Sequence, residues 1–63
     1  MTRHYKDFIG YYKIVTRRAG TATAYHLLTR YGMTKRIGNY KTEKGARIGL
    51  ARYCGGMPQE VKQ

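Results

Sequence analysis

Six side chains in this sequence have the chemistry to hold a metal or move a proton: His4, His26, Cys54, Asp7, Glu43 and Glu60. A structural metal site gathers three or four such ligands, and acid–base catalysis needs a pair within hydrogen-bond reach of the reacting group. Spread over the whole chain, these six form neither pattern. The glycine spacings in "GTATAYHLLTRYG" and "GARIG" match neither a phosphate loop nor a dinucleotide fingerprint. Cys54 is the only cysteine, so it has no partner for an intramolecular disulfide and suits a reducing compartment. Nothing in the sequence places a histidine beside it, and it reads as a bystander thiol. The expectation is a protein without catalytic residues, metal or cofactor.

The remaining chemistry is cationic and aromatic. Thirteen Lys and Arg face three acids, for a net charge of +10 and a pI of about 10.2. That imbalance attracts polyanions: nucleic acid, an anionic membrane or an acidic protein surface. No apolar run approaches the ~20 residues of a membrane span. The helix expected near the C-terminus has too little apolar surface, and too dispersed a charge, for an interfacial helix. "MTRHYKDFIGYYKIV" lacks the continuous apolar core of a secretory signal, so the expected location is the cytoplasm.

The elements that must position these groups are few. With 63 residues, the chain has room for one domain that buries only about 60% of its unfolded surface. Residues 1–7 are polar and read as a flexible N-terminal arm. "FIGYYKIVT" (Phe8 to Thr16) is rich in aromatic and β-branched residues and reads as a strand. "RRAGTA" follows, with Gly20 supplying the positive φ of a hairpin. "TAYHLLTRY" reads as a second strand, with a helix as the competing assignment because short segments fit both periods. Gly32 opens another turn, and "KRIGNY" is a third strand. Thr42 can cap a helix whose first turn carries Glu43. Ala46, Gly49, Leu50 and Tyr53 share one face of that helix, the glycine pair at 55–56 ends it, and Pro58 prevents a restart. Residues 56–63 read as a tail. The expected architecture is α+β: a three-stranded antiparallel meander packed on one C-terminal helix, β-β-β-α, within a single domain, residues 1–63.

Pleat alternation then predicts a core of Tyr12, Ile14, Tyr25, Leu27 and Ile37 against Ala46, Leu50 and Tyr53. The opposite face would carry Tyr11, Lys13, Arg17, His26, Arg30 and Arg36, with Arg18 at the hairpin. Arg and Lys neutralise phosphates, Arg pairs bidentately with guanine edges, and tyrosine stacks on unpaired bases. These seven residues are the predicted nucleic-acid-binding set.

"RIGNYKTEKGARIGLA", Arg36 to Ala51, resembles the strand-to-helix junction of two DNA-binding modules. They are the arm-type binding domain of phage tyrosine integrases and the plant ethylene-response-factor domain. The residues that carry the resemblance are Ile37, Gly38, Tyr40, Thr42, Ala46 and Leu50. It implies a three-stranded sheet lying in the major groove, with Arg36 facing the groove, and so favours DNA over RNA as partner. The alternative is a phage- or mobile-element-type inhibitor that binds an acidic surface of a host protein such as a polymerase or nuclease.

Overall fold

The computed structural model describes residues 1–29 and 32–61. Strands β1 (Thr2–Lys6), β2 (Tyr11–Thr16), β3 (Ala22–Leu27) and β4 (Thr34–Tyr40) form an antiparallel meander. Helix α1 (Glu43–Cys54) crosses the sheet, and β5 (Gln59–Val61) pairs antiparallel with β1 on the far side. The order across the sheet is β4-β3-β2-β1-β5. Five strands replace the expected three, which corrects the β-β-β-α architecture. It equally overturns the resemblance to the integrase arm-type and ethylene-response-factor modules, whose sheet has three strands.

The two additional strands come from the segments expected to be arm and tail. In β1, "TRHYK" offers one apolar residue, Tyr5, too little for an alternating signal. Its stability comes from backbone pairing on both flanks and from burial of that tyrosine. The expected strand start at Phe8 is instead a turn. The amides of Ile9 and Gly10 both donate to Asp7 Oδ1 at 2.9 Å, and the Asp7 amide donates to the Gly10 carbonyl at 3.0 Å. Asp at the first position and Gly at the fourth is a tight-turn signature, present in "DFIG".

Although partial burial alone would raise the Asp7 pKa, the Gly10 and Ile9 amides and the Tyr12 hydroxyl outweigh it and hold the carboxyl below its ordinary range. A carboxyl depressed in the folded state stabilises the fold above its unfolded pKa of about 3.9, and that contribution disappears as pH falls through the folded value. Thermal melts taken from pH 6 down to pH 2 should therefore show an acid-side loss that is shallower in Asp7→Asn. Equal acid slopes in the two proteins would remove Asp7 from this role.

Other boundaries follow their residues closely. Gly20 and Gly32 take φ of +96° and +93° at the two turns flanking β3. Thr42 Oγ1 accepts the Gly45 amide at 3.0 Å, and Gly55 closes the helix in the left-handed region at φ +73°.

The core is small: Tyr5, Tyr12, Ile14, Ala22 and Ala24 from the sheet, and Ala46 and Leu50 from the helix, with Ile37, Tyr40 and Cys54 packed at its margin. Tyr25 and Leu27, expected inside, lie on the opposite face, and Tyr53 is 42% exposed at the core's edge. The β2–β3 register explains the swap, because it sets Ile14 opposite Ala24 and Tyr12 opposite His26. Directly opposed residues share a face, so the alanines face the helix and let it approach closely. The more apolar alternation of β3 points outward.

Candidate nucleic-acid interface

Helix α1 lies over β2, β3 and β4 on one side of the sheet. The other side has no element covering it among the described residues. Its side chains fall into three cross-strand rows. One runs Asn39, Thr23, Val15, Thr2; the next Arg36, Tyr25, Lys13, His4, Val61; the third Thr34, Leu27, Tyr11, Lys6, Gln59. Arg36 reaches this face through a bulge. Ala24 pairs with Gly38 and Tyr25 with Arg36, so Ile37 is the extra residue and turns to the core. Bulges re-aim side chains in this way.

Arg17 follows β2 and is anchored on the same face. Its guanidinium donates to Thr23 Oγ1 at 2.6 Å, and the Thr23 hydroxyl donates to Asn39 Oδ1 at 2.7 Å. Beside this chain, Arg17, Thr21, Asn39, Tyr40 and Lys41 line a cleft of about 400 Å³. At the opposite end of the face Tyr11, Leu27, Leu28 and Thr29 line a more apolar cleft of about 320 Å³. Between them the Lys13 ammonium sits 5.2 Å from the Tyr25 ring centroid. An exposed cation–π contact is worth about 0.5–1 kcal/mol, against ~1–3 kcal/mol for a base stacked on an aromatic ring.

None of the three carboxylate side chains is on this face. Arg3 Nε meets Glu43 Oε1 at 2.9 Å and Arg3 Nη1 meets Glu60 Oε2 at 3.5 Å, a bridge across β1, α1 and β5 on the helix side. Asp7 turns towards Tyr12, also on that side. Among the described residues the face therefore carries Lys6, Lys13, Arg17 and Arg36 without a carboxylate side chain of its own.

Of the seven predicted binding residues, Tyr11, Lys13, Arg17 and Arg36 share this face. Arg18 is exposed in the β2–β3 turn at its end. Arg30 lies outside the described residues. His26 is on the helix side, with its ring 4.8 Å from that of Tyr12 and its Nδ1 hydrogen-bonded to the Tyr53 hydroxyl at 2.9 Å. The open face also carries Tyr25, expected in the core, and Lys6 and His4, expected in an arm. The alternation of Lys6 and His4 with Tyr5 and Arg3 was the available signal, too short to stand out.

Burial pushes the Tyr12 hydroxyl above the ordinary phenol range, and contacts with Cys54 and Asp7 reinforce this, so it stays protonated. Burial also pushes the Cys54 thiol up, away from the thiolate that a nucleophile requires. Among the described residues no three His, Cys, Asp or Glu side chains gather closely enough for a metal. No described helix is long and apolar enough to cross a membrane.

Fold and face together define a small, strongly basic α+β protein: a five-stranded antiparallel sheet covered by the helix on one side and, among the described residues, open on the other. The chain matches no family model, and no curated protein or solved structure matches it.

Proposed function

We propose that this protein binds nucleic acid through the open face of its sheet. The observation that carries the reading is the joint placement of Lys6, Lys13, Arg17 and Arg36 with Tyr11 and Tyr25 on a face that, among the described residues, is uncovered and has no carboxylate side chain. Cations spaced along strands neutralise successive phosphates, and the tyrosines add contacts that a purely electrostatic surface lacks. The preference for DNA followed from the three-stranded modules, so the reading stands for nucleic acid as a class.

A charge-matched comparison tests it. Lys13→Ala/Arg36→Ala and Lys44→Ala/Arg47→Ala remove equal charge, the first pair from the open face and the second from the helix. Fluorescence anisotropy with labelled oligonucleotides at ~50 mM salt should show the open-face pair losing at least ten times more affinity. Each phosphate contact removed should also flatten the dependence of log K on log salt by about 0.7–0.9. Equal losses in the two variants, or no binding by the wild-type protein, would defeat the reading.

A second reading has its own support. Phe8 is 98% exposed and Ile9 66% exposed on the pinned β1–β2 turn, a rigid apolar tip of the kind that fills a pocket on a protein partner. It fits the alternative of a basic inhibitor docking on an acidic host-protein surface. Affinity purification distinguishes the two: one stoichiometric acidic protein retained after nuclease treatment, and lost with Phe8→Ser, would favour the inhibitor.

A further inference from the structure

The width of the sheet and the path across its open face point to single-stranded nucleic acid, and we infer that this is the form the face takes. The inference rests on the nucleic-acid reading and names its substrate. Strands in a sheet stand about 4.8 Å apart, so five span ~19 Å between their outer axes before side chains are added. The major groove of B-form DNA is about 12 Å wide. The tyrosines and Lys13 lie on β2 and β3, with β4 on one flank and β1 and β5 on the other. Pressing β2 and β3 into a groove would drive those flanking strands into the sugar–phosphate walls. A flexible single strand meets no such obstacle.

The face also has the layout that a single strand requires. Tyr25 stands opposite Lys13 and Tyr11 opposite Leu27, so the two rings are diagonal neighbours on adjacent strands. Two residues of an antiparallel strand separate their rows by about 6.8 Å, and aromatic rings on an open sheet stack two or three unpaired bases. Cations flank this aromatic track on both sides, Arg36 from β4 and Lys6 from β1. At one end the cleft between Arg17 and Lys41 suits a phosphate, and at the other the apolar cleft beside Tyr11 suits a base. Stacking does not depend on base identity, so the ligand class is single-stranded DNA or RNA with little sequence preference.

The test measures binding of the full chain to a labelled twelve-nucleotide thymidine strand, the matching uridine strand and a twelve-base-pair duplex, at about 50 and 200 mM salt. Expected is tighter binding to a single strand than to the duplex, with the preference widening at the higher salt because stacking is less screened. Tyr11→Leu and Tyr25→Leu should each weaken single-strand binding about tenfold or more, while Tyr11→Phe and Tyr25→Phe retain most of it. Leucine keeps apolar contact but removes the ring, and circular dichroism confirms that the variants fold. Duplex binding as tight as single-strand binding, or leucine variants that bind like wild type, overturns this inference and leaves the nucleic-acid reading intact. Failure to bind all three probes overturns both.

Discussion

Gly49→Ala should lower the melting temperature of this protein, and Gly45→Ala should raise it, although both replace a glycine within the same helix. Propensity alone predicts a gain of up to about 1 kcal/mol at each site. At Gly49 a Cβ would overlap the ring and hydroxyl of Tyr40. That ring is also limited on the sheet side, where a Cβ on Gly38 would stand 2.8 Å from the Tyr40 hydroxyl. Held between two glycines, Tyr40 can yield only by leaving the margin of the core. Overpacking of this kind costs about 1–3 kcal/mol and exceeds the propensity gain over most of that range. At Gly45 the nearest atoms to a Cβ would be Thr42 Oγ1 at 3.4 Å and Tyr40 Cβ at 3.5 Å, ordinary contacts. With about 4–8 °C of melting temperature per kcal/mol in a domain of this size, the opposite shifts are readily resolved by thermal denaturation. A cycle with Tyr40→Ala adds a control, since removing the ring should make Gly49→Ala neutral or favourable. Similar shifts at the two glycines would mean that Tyr40 does not occupy this gap.

Leu50→Ala should remove a large share of the stability of this protein. Leu50 is fully buried and is the largest apolar side chain that the helix contributes to the core. Truncations of this type cost about 2–5 kcal/mol. At ~0.05–0.15 kcal/mol per residue, a chain of 63 residues has about 3–9 kcal/mol in total. The loss is therefore about half of the whole stability at central values, and no disulfide backs it up. Urea titration followed by circular dichroism should show a collapsed folded baseline or a strongly reduced midpoint. Isoleucine at Ile48, exposed on the outer side of the helix, is the matched control, and Ile48→Ala should change the midpoint little. A wild-type midpoint for Leu50→Ala would place the core elsewhere.

The legible parts of the fold were those written in local chemistry. The turns at Gly20 and Gly32 need a positive φ, and Thr42 and the glycine pair at 55–56 supply the chemistry that starts and stops a helix. β2 and β4 carry the composition of strands, and Ala46 and Leu50 show the inward helical face. Illegible were the elements that acquire their structure from neighbours. β1 is a polar pentapeptide that becomes a strand because β2 and β5 satisfy its backbone on both sides. β5 is three residues long and has no independent signal at all. On the open face, alternation placed Tyr11, Lys13, Arg17 and Arg36 on the side where the structure has them, whereas Tyr25 and His26 were exchanged because the register of β3 inverted.

Net charge, the absence of a second cysteine, the helix caps and the turn glycines depend on residue identity alone, and these the amino-acid sequence determined by itself. It determined in that way that the protein is small and cation-rich, with a net charge of +10. Tertiary structure decided how many strands the sheet has and which face of β3 is buried. The physical reason is that strand pairing is satisfied between distant segments and that a shift of one residue reverses every side chain. Small alanines won the inner face because the helix, with Gly49 and Tyr40 filling the gap, had to come close. Their burial left Tyr25 outside, beside Lys13, on the face proposed here to hold a nucleic-acid strand.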